Sequence, residues 1–150
     1  MARFRYRMQG ILDIKLKMET QAKQNFANAR NALDDELQKL DNLKKRKADY
    51  EEKGRELLAG TLNLKDISEN KHAILRMDEY IFTQKGAVKR AEARLEAARE
   101  ALEEVMKERK THEILKEKAF EAFVMEEKQK ESKEIDELTS YLFAQKVGEA

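Results

Sequence analysis

The chain has no cysteine, proline or tryptophan among its 150 residues, and only five glycines and ten phenylalanines and tyrosines together. Without cysteine there is no disulfide framework and no thiolate metal site, which fits a cytosolic protein. Without proline nothing interrupts a long helix. No run approaches the ~18 apolar residues of a membrane-spanning helix, and residues 1–14 lack the continuous apolar stretch of a signal peptide. Charge of one sign is missing too: 31 basic residues against 30 acidic ones, interspersed, leave a net charge of +1. No global field therefore favours nucleic acid, and the tyrosines and phenylalanines are too dispersed for a base-stacking platform. A local basic cluster remains at the start, at Arg3, Arg5 and Arg7 followed by Lys15 and Lys17.

What is present is the composition of long helices. Charged residues make up 41% of the chain, so a broad globular core is excluded and a narrow apolar seam is expected. From Met18 the apolar residues recur as Met18, Ala22, Phe26, Ala29, Leu33, Leu37 and Leu40, an eleven-residue period that keeps a stripe on a nearly straight helix. Phe4, Met8 and Ile11 extend it upstream; Leu43, Tyr50 and Leu57 extend it downstream after a phase slip. The first helix is expected over about 3–58.

Gly60 follows the last periodic residues and suits a left-handed helix C-cap, while Thr61 or Asn63 can cap a second helix. Val88, Ala91, Leu95, Ala98, Leu102 and Val105 then alternate spacings of three and four, which are heptad a and d positions. The same phase next places Arg109, His112 and Lys116 on the seam, so a slip, a splay or a polar layer is expected there. Neither helix buries its stripe alone. The fold class is therefore all-α, a long antiparallel two-helix coiled-coil hairpin forming one domain. Its first arm spans about 3–58, its turn and tip about 59–82 and its second arm about 83–147. The second arm is the longer. Either residues 62–82 form a separate helical tip segment, or the C-terminal end overhangs.

Catalysis needs groups converging in a concave site, and such a hairpin offers little concavity. There is no phosphate-binding glycine loop, His72 and His112 stand far apart, and the acids around Glu126 alternate with lysines. The expectation is a non-enzyme with no cofactor and no metal. Met77, Tyr80, Ile81 and Phe82 cannot all face one seam, which makes their neighbourhood a candidate partner site.

Three stretches carry a family resemblance. Phe4, Tyr6, Met8, Ile11, Leu12, Asp13 and Lys15 resemble the amino-terminal signature of the flagellar FliJ family. Glu126–Lys130, with Lys133 to Leu138 and its Asp136–Glu137 pair, resembles the family's terminal run. Between them Met77, Ile81, Gln84, Val88, Ala91, Glu92 and Leu95 follow its mid-chain spacing. The resemblance implies a stalk-like component of the flagellar type III export ATPase that enters the hexameric ring and promotes its assembly. It further implies contact with the membrane export-gate protein and escort of export chaperones, in a monomer that sits at the cytoplasmic face of the inner membrane without inserting. By spacing, the family's gate-contact surface falls on Ala73, Met77, Tyr80 and Gln84. The reading from another class is a generic structural or chaperone-like hairpin, either a type III secretion stalk relative or a prefoldin-like holdase with exposed apolar helix tips.

Overall fold

The computed structural model describes residues 2–149. It contains two helices, α1 (Gln9–Ala59) and α2 (Leu64–Glu149), and no strand among the described residues. The chain divides into two compact units. One joins residues up to Glu19 with those from Glu104 onward, and the other is Thr20–Glu103.

In the second unit α1 and α2 run antiparallel across a four-residue turn at 60–63. Asn63 opens α2 as its cap, its Oδ1 accepting from the Lys65 amide at 3.1 Å and the Asp66 amide at 3.4 Å. α1 stops before Gly60 as the sequence suggested, but no glycine has a positive φ, so the stop does not use the left-handed cap. α2 runs unbroken from Leu64, which makes residues 64–82 part of the second arm instead of a separate tip.

In the first unit the start of α1 packs antiparallel against α2. The expected helix start at residue 3 is corrected here: residues 2–6 are non-helical. The reason is an alternation of period two, which turns Phe4 and Tyr6 inward and leaves Arg3, Arg5 and Arg7 exposed. The Phe4 ring meets Phe120 edge-on at 5.2 Å and Phe123 at 5.4 Å. Beyond Phe123 the burial of α2 fades, and every described residue from 128 to 148 is exposed. The second arm overhangs.

Burial also corrects the seam of α1. The residues turned inward are Leu12, Lys15, Glu19, Ala22, Phe26, Ala29, Leu33, Glu36, Leu40, Leu43, Lys47, Tyr50, Gly54 and Leu57, which alternate spacings of three and four throughout. This is a heptad, not an eleven-residue repeat, and there is no phase slip. Met18 and Leu37 lie outside it and are exposed; Glu19 and Glu36 hold their places. On α2 the heptad read at Val88–Val105 extends back to Ile67 and forward through Arg109, His112 and Lys116 to Phe123. Of the three outcomes foreseen at Arg109, a polar layer is the one observed.

That packing brings the Asn70 side chain close over Gly54. A Cβ on it would lie 2.7 Å from Asn70 Oδ1, and Asn70 donates from Nδ2 to the Tyr50 carbonyl at 2.9 Å. Alanine at 54 gains ~1 kcal/mol of helix propensity but displaces a hydrogen bond worth about as much. Gly54→Ala is therefore expected to shift stability by less than ~1 kcal/mol, yet to stabilise an Asn70→Ala background by ~1 kcal/mol. Chemical denaturation of the four proteins measures both.

Candidate interaction surfaces

The resemblance pointed to Ala73, Met77, Tyr80 and Gln84 as one surface, and the structure separates them. Ala73 is 7% exposed and Met77 4%, both packed against α1. Gln84 is half-buried and donates from Nε2 to the Glu36 carbonyl at 2.9 Å and to Glu36 Oε2 at 2.5 Å. Tyr80 alone of the four is open to solvent, at 52%. A heptad explains the division, because 77 and 84 are seam positions while 80 lies on its flank.

The signature residues are similarly divided. Leu12 is buried, Phe4 and Tyr6 are half-buried, and Met8, Ile11 and Asp13 are exposed. Asp13 accepts from Gln9 Nε2 at 2.9 Å. The Tyr6 hydroxyl is buried without a hydrogen-bond partner. Asp136 and Glu137 lie in the overhanging part of α2, where Ile135, Leu138, Leu142 and Phe143 are exposed as well.

Sequence reasoning missed the polar pairs that cross the seam. In the first unit Lys15 Nζ donates to Glu108 Oε2 at 2.8 Å, and Arg109 pairs with Glu19, a carboxylate only 6% exposed. Arg109 also donates to Glu113 at 2.8 Å. In the second unit Lys47 pairs with Asp78 at 2.6 Å. The signal was available. Carrying the Val88–Val105 phase along α2 puts Arg109 on the seam and leaves Asp78 and Glu108 beside seam positions 77 and 109, flanking places from which each meets a lysine of α1.

Electrostatics here serve register more than chemistry. The hydrogen bond and charge of Asp78 raise the Lys47 pKa above its usual 10.5. The attraction is thus in force below that pH and fades only as pH rises through the raised value. Arg109 is raised chiefly by its hydrogen bond to Glu113 and further by Glu19, so it stays a cation. On an exposed face of α2, Glu96 is held below the ordinary carboxylate range by its hydrogen bond to Arg99. Among the described residues no cluster of three or more His, Cys, Asp or Glu could hold a metal, and no helix is long and apolar enough to cross a membrane. His72 is exposed on α2. His112 is half-buried on the seam, with an Nδ1 that has no hydrogen-bond partner.

Two antiparallel helices joined by a tight turn, their faces dominated by exposed charge, define a helical-hairpin protein that presents surfaces. Comparison with known families then gives the particular group: the flagellar FliJ protein family matches residues 4–148. The chain belongs to that family. Among solved structures it resembles that of a putative YscO homolog from Chlamydia trachomatis, at a TM-score of 0.67 and 25% sequence identity, covering 93% of this chain and 95% of that one. No curated protein sequence matches it.

Proposed function

We infer that this chain is a non-enzymatic, stalk-like component of a flagellar type III export apparatus. It works as a monomer within the hexameric export ATPase, promotes assembly of the ring, contacts the membrane export-gate protein and escorts export chaperones at the cytoplasmic face of the inner membrane. The observation that carries this reading is the family match along nearly the whole chain, supported by a neighbouring structure that is itself described as a YscO homolog. Physical compatibility supports it further. Helices that intersperse charge of both signs stay solvated on their outer faces, and exposed apolar residues such as Ile135, Leu138 and Leu142 offer contacts to a surrounding partner.

The gate contact now centres on Tyr80, since Ala73 and Met77 are packed inside. Tyr80→Ala is expected to leave helicity and ATPase stimulation unchanged while binding of the gate protein falls. The assays are circular dichroism, ATP hydrolysis by the flagellar export ATPase with and without the chain, and pull-down with the gate's cytoplasmic domain. If the wild-type chain neither associates with nor stimulates the export ATPase, the stalk reading fails. If it does so and Tyr80→Ala still binds the gate protein fully, only the contact surface fails.

One observation favours the holdase alternative: Leu58, Leu62 and Leu64 are exposed around the turn. A prefoldin-like activity would suppress aggregation of an unrelated unfolded protein, and Leu62→Ser with Leu64→Ser would abolish the suppression. On the stalk reading neither effect is expected.

A further inference from the structure

Phe82 stands on the solvent side of α2, 81% exposed, although Ile81 beside it is buried in the seam. One exposed phenylalanine means little, since isolated apolar residues are ordinary on protein surfaces. Its surroundings set this one apart. Residues 82–90 include Lys85, Lys89 and Arg90 and no acid. Across from them on α1, Lys44 lines a dent that it shares with Phe82 and Lys85, and whose acids, Glu51 and Asp78, are both held by Lys47. None of these four cations has an ion-pair partner among the described residues, whereas Lys47 nearby is matched by Asp78 and Glu51.

A second dent, of about 450 Å³, is lined by Phe82, Thr83, Lys85, Gly86, Lys89 and Arg90. Glycine in the interior of a long helix is unfavourable relative to alanine. Packing does not demand it here. The nearest neighbour of a Cβ on Gly86 would be Arg90 Nη1 at 3.5 Å, an ordinary contact. What the glycine does supply is a low wall beside an exposed aromatic ring.

We propose that this face of unit two, Phe82 with Lys44, Lys85, Lys89 and Arg90, docks an acidic protein segment bearing an aromatic or other large apolar side chain. That side chain seats against Phe82 over Gly86, and the flanking carboxylates reach the cations. An aromatic anchor ringed by charge is the usual anatomy of a small docking site, in which the apolar centre gives affinity and the charges give selection. Glu79, one turn before Phe82, repels carboxylates at that end, so the partner's acids extend toward Lys89 and Arg90. The surface also differs from that of Tyr80, because two residues along a helix turn the side chain by about 200°. A nucleic-acid partner fits less well, since a single ring is no stacking platform and the chain as a whole carries only one net positive charge.

The inference does not depend on which assembly holds the chain, so it is tested on the purified full chain alone. Random short peptides displayed on phage are selected against the wild type and counter-selected against Phe82→Ala, whose exposed position leaves the fold intact by circular dichroism. The expected survivors carry two or more Asp or Glu beside an aromatic residue. The strongest of them, synthesised, loses roughly tenfold in affinity to Phe82→Ala and to the double variant Lys85→Glu/Lys89→Glu, weakens steeply with added salt, and binds Phe143→Ala as tightly as wild type. Selection of neutral or basic peptides, no selection at all, or equal binding to Phe82→Ala overturns the proposal. Tighter binding of a single-stranded oligonucleotide at the same residues overturns the partner's class.

Discussion

Met77→Asp is expected to lower the stability of the second unit by at least ~4 kcal/mol, because it removes a packed side chain and leaves a carboxylate without compensation in its place. Met77 is 4% exposed, and Lys47, the α1 cation bonded to this turn of α2, is already taken by Asp78. Single domains are stable by only ~5–15 kcal/mol, so much of the helical signal in circular dichroism should vanish at a denaturant concentration that the wild type withstands. Tyr80→Ala, three residues further on, is expected to stay within ~0.5 kcal/mol. The contrast matters for function. A combined alanine replacement of Met77, Tyr80 and Gln84, which the family resemblance suggests as a probe of the gate surface, mixes a core truncation with a surface change. Only the Tyr80 variant separates binding from folding. Equal melting of Met77→Asp and wild type would place the seam on a different face of α2.

The second large effect belongs to Glu19 and Arg109. A buried ion pair need not outstabilise an apolar pair of the same shape, but breaking it leaves a charge without compensation. Arg109→Leu removes the cation that reaches the buried Glu19 carboxylate from α2. Glu19→Leu leaves Arg109 with Glu113 still at 2.8 Å. Each single variant should therefore melt further below wild type than does Arg99→Ala, which removes exposed pairs whose loss changes little. The double variant Glu19→Leu/Arg109→Leu should recover most of the loss, since it restores two apolar residues to facing seam positions. Additive losses in the double variant would show that the two side chains are not coupled.

These residues also explain how much of the molecule was legible beforehand. Val88 to Val105 gave the heptad because every a and d position there is apolar, and the antiparallel hairpin followed from the need to bury two stripes. The first helix misled because its seam is polar at Lys15, Glu19, Glu36 and Lys47. A search for apolar residues alone stepped from Glu19 to Met18 and from Glu36 to Leu37, and so turned a period of 3.5 into one of about 3.7. The same blindness affected the gate surface. Spacing matched Met77 and Gln84 to a family pattern, but only the partner helix reveals that one is core and the other is bonded to Glu36. Phe82 was visible as an apolar residue off the seam. Its unpaired cations and the dent at Gly86 required the fold.

The overhang of α2 has a consequence of its own. A helix in water is held mainly by the surface that it packs against, and a stretch of some twenty residues with no such surface is held less firmly than the clamped part. Residues 128–148 depend on backbone hydrogen bonds and side-chain pairs within their own turns, whereas the same helix upstream is clamped by α1. One continuous helix thus carries two regimes of order. Whatever covers Ile135, Leu138 and Leu142 restrains this stretch as it binds, and that ordering cost is subtracted from the grip. Such an end favours exchange over permanence: it engages, tightens and lets go without the clamped half having to move.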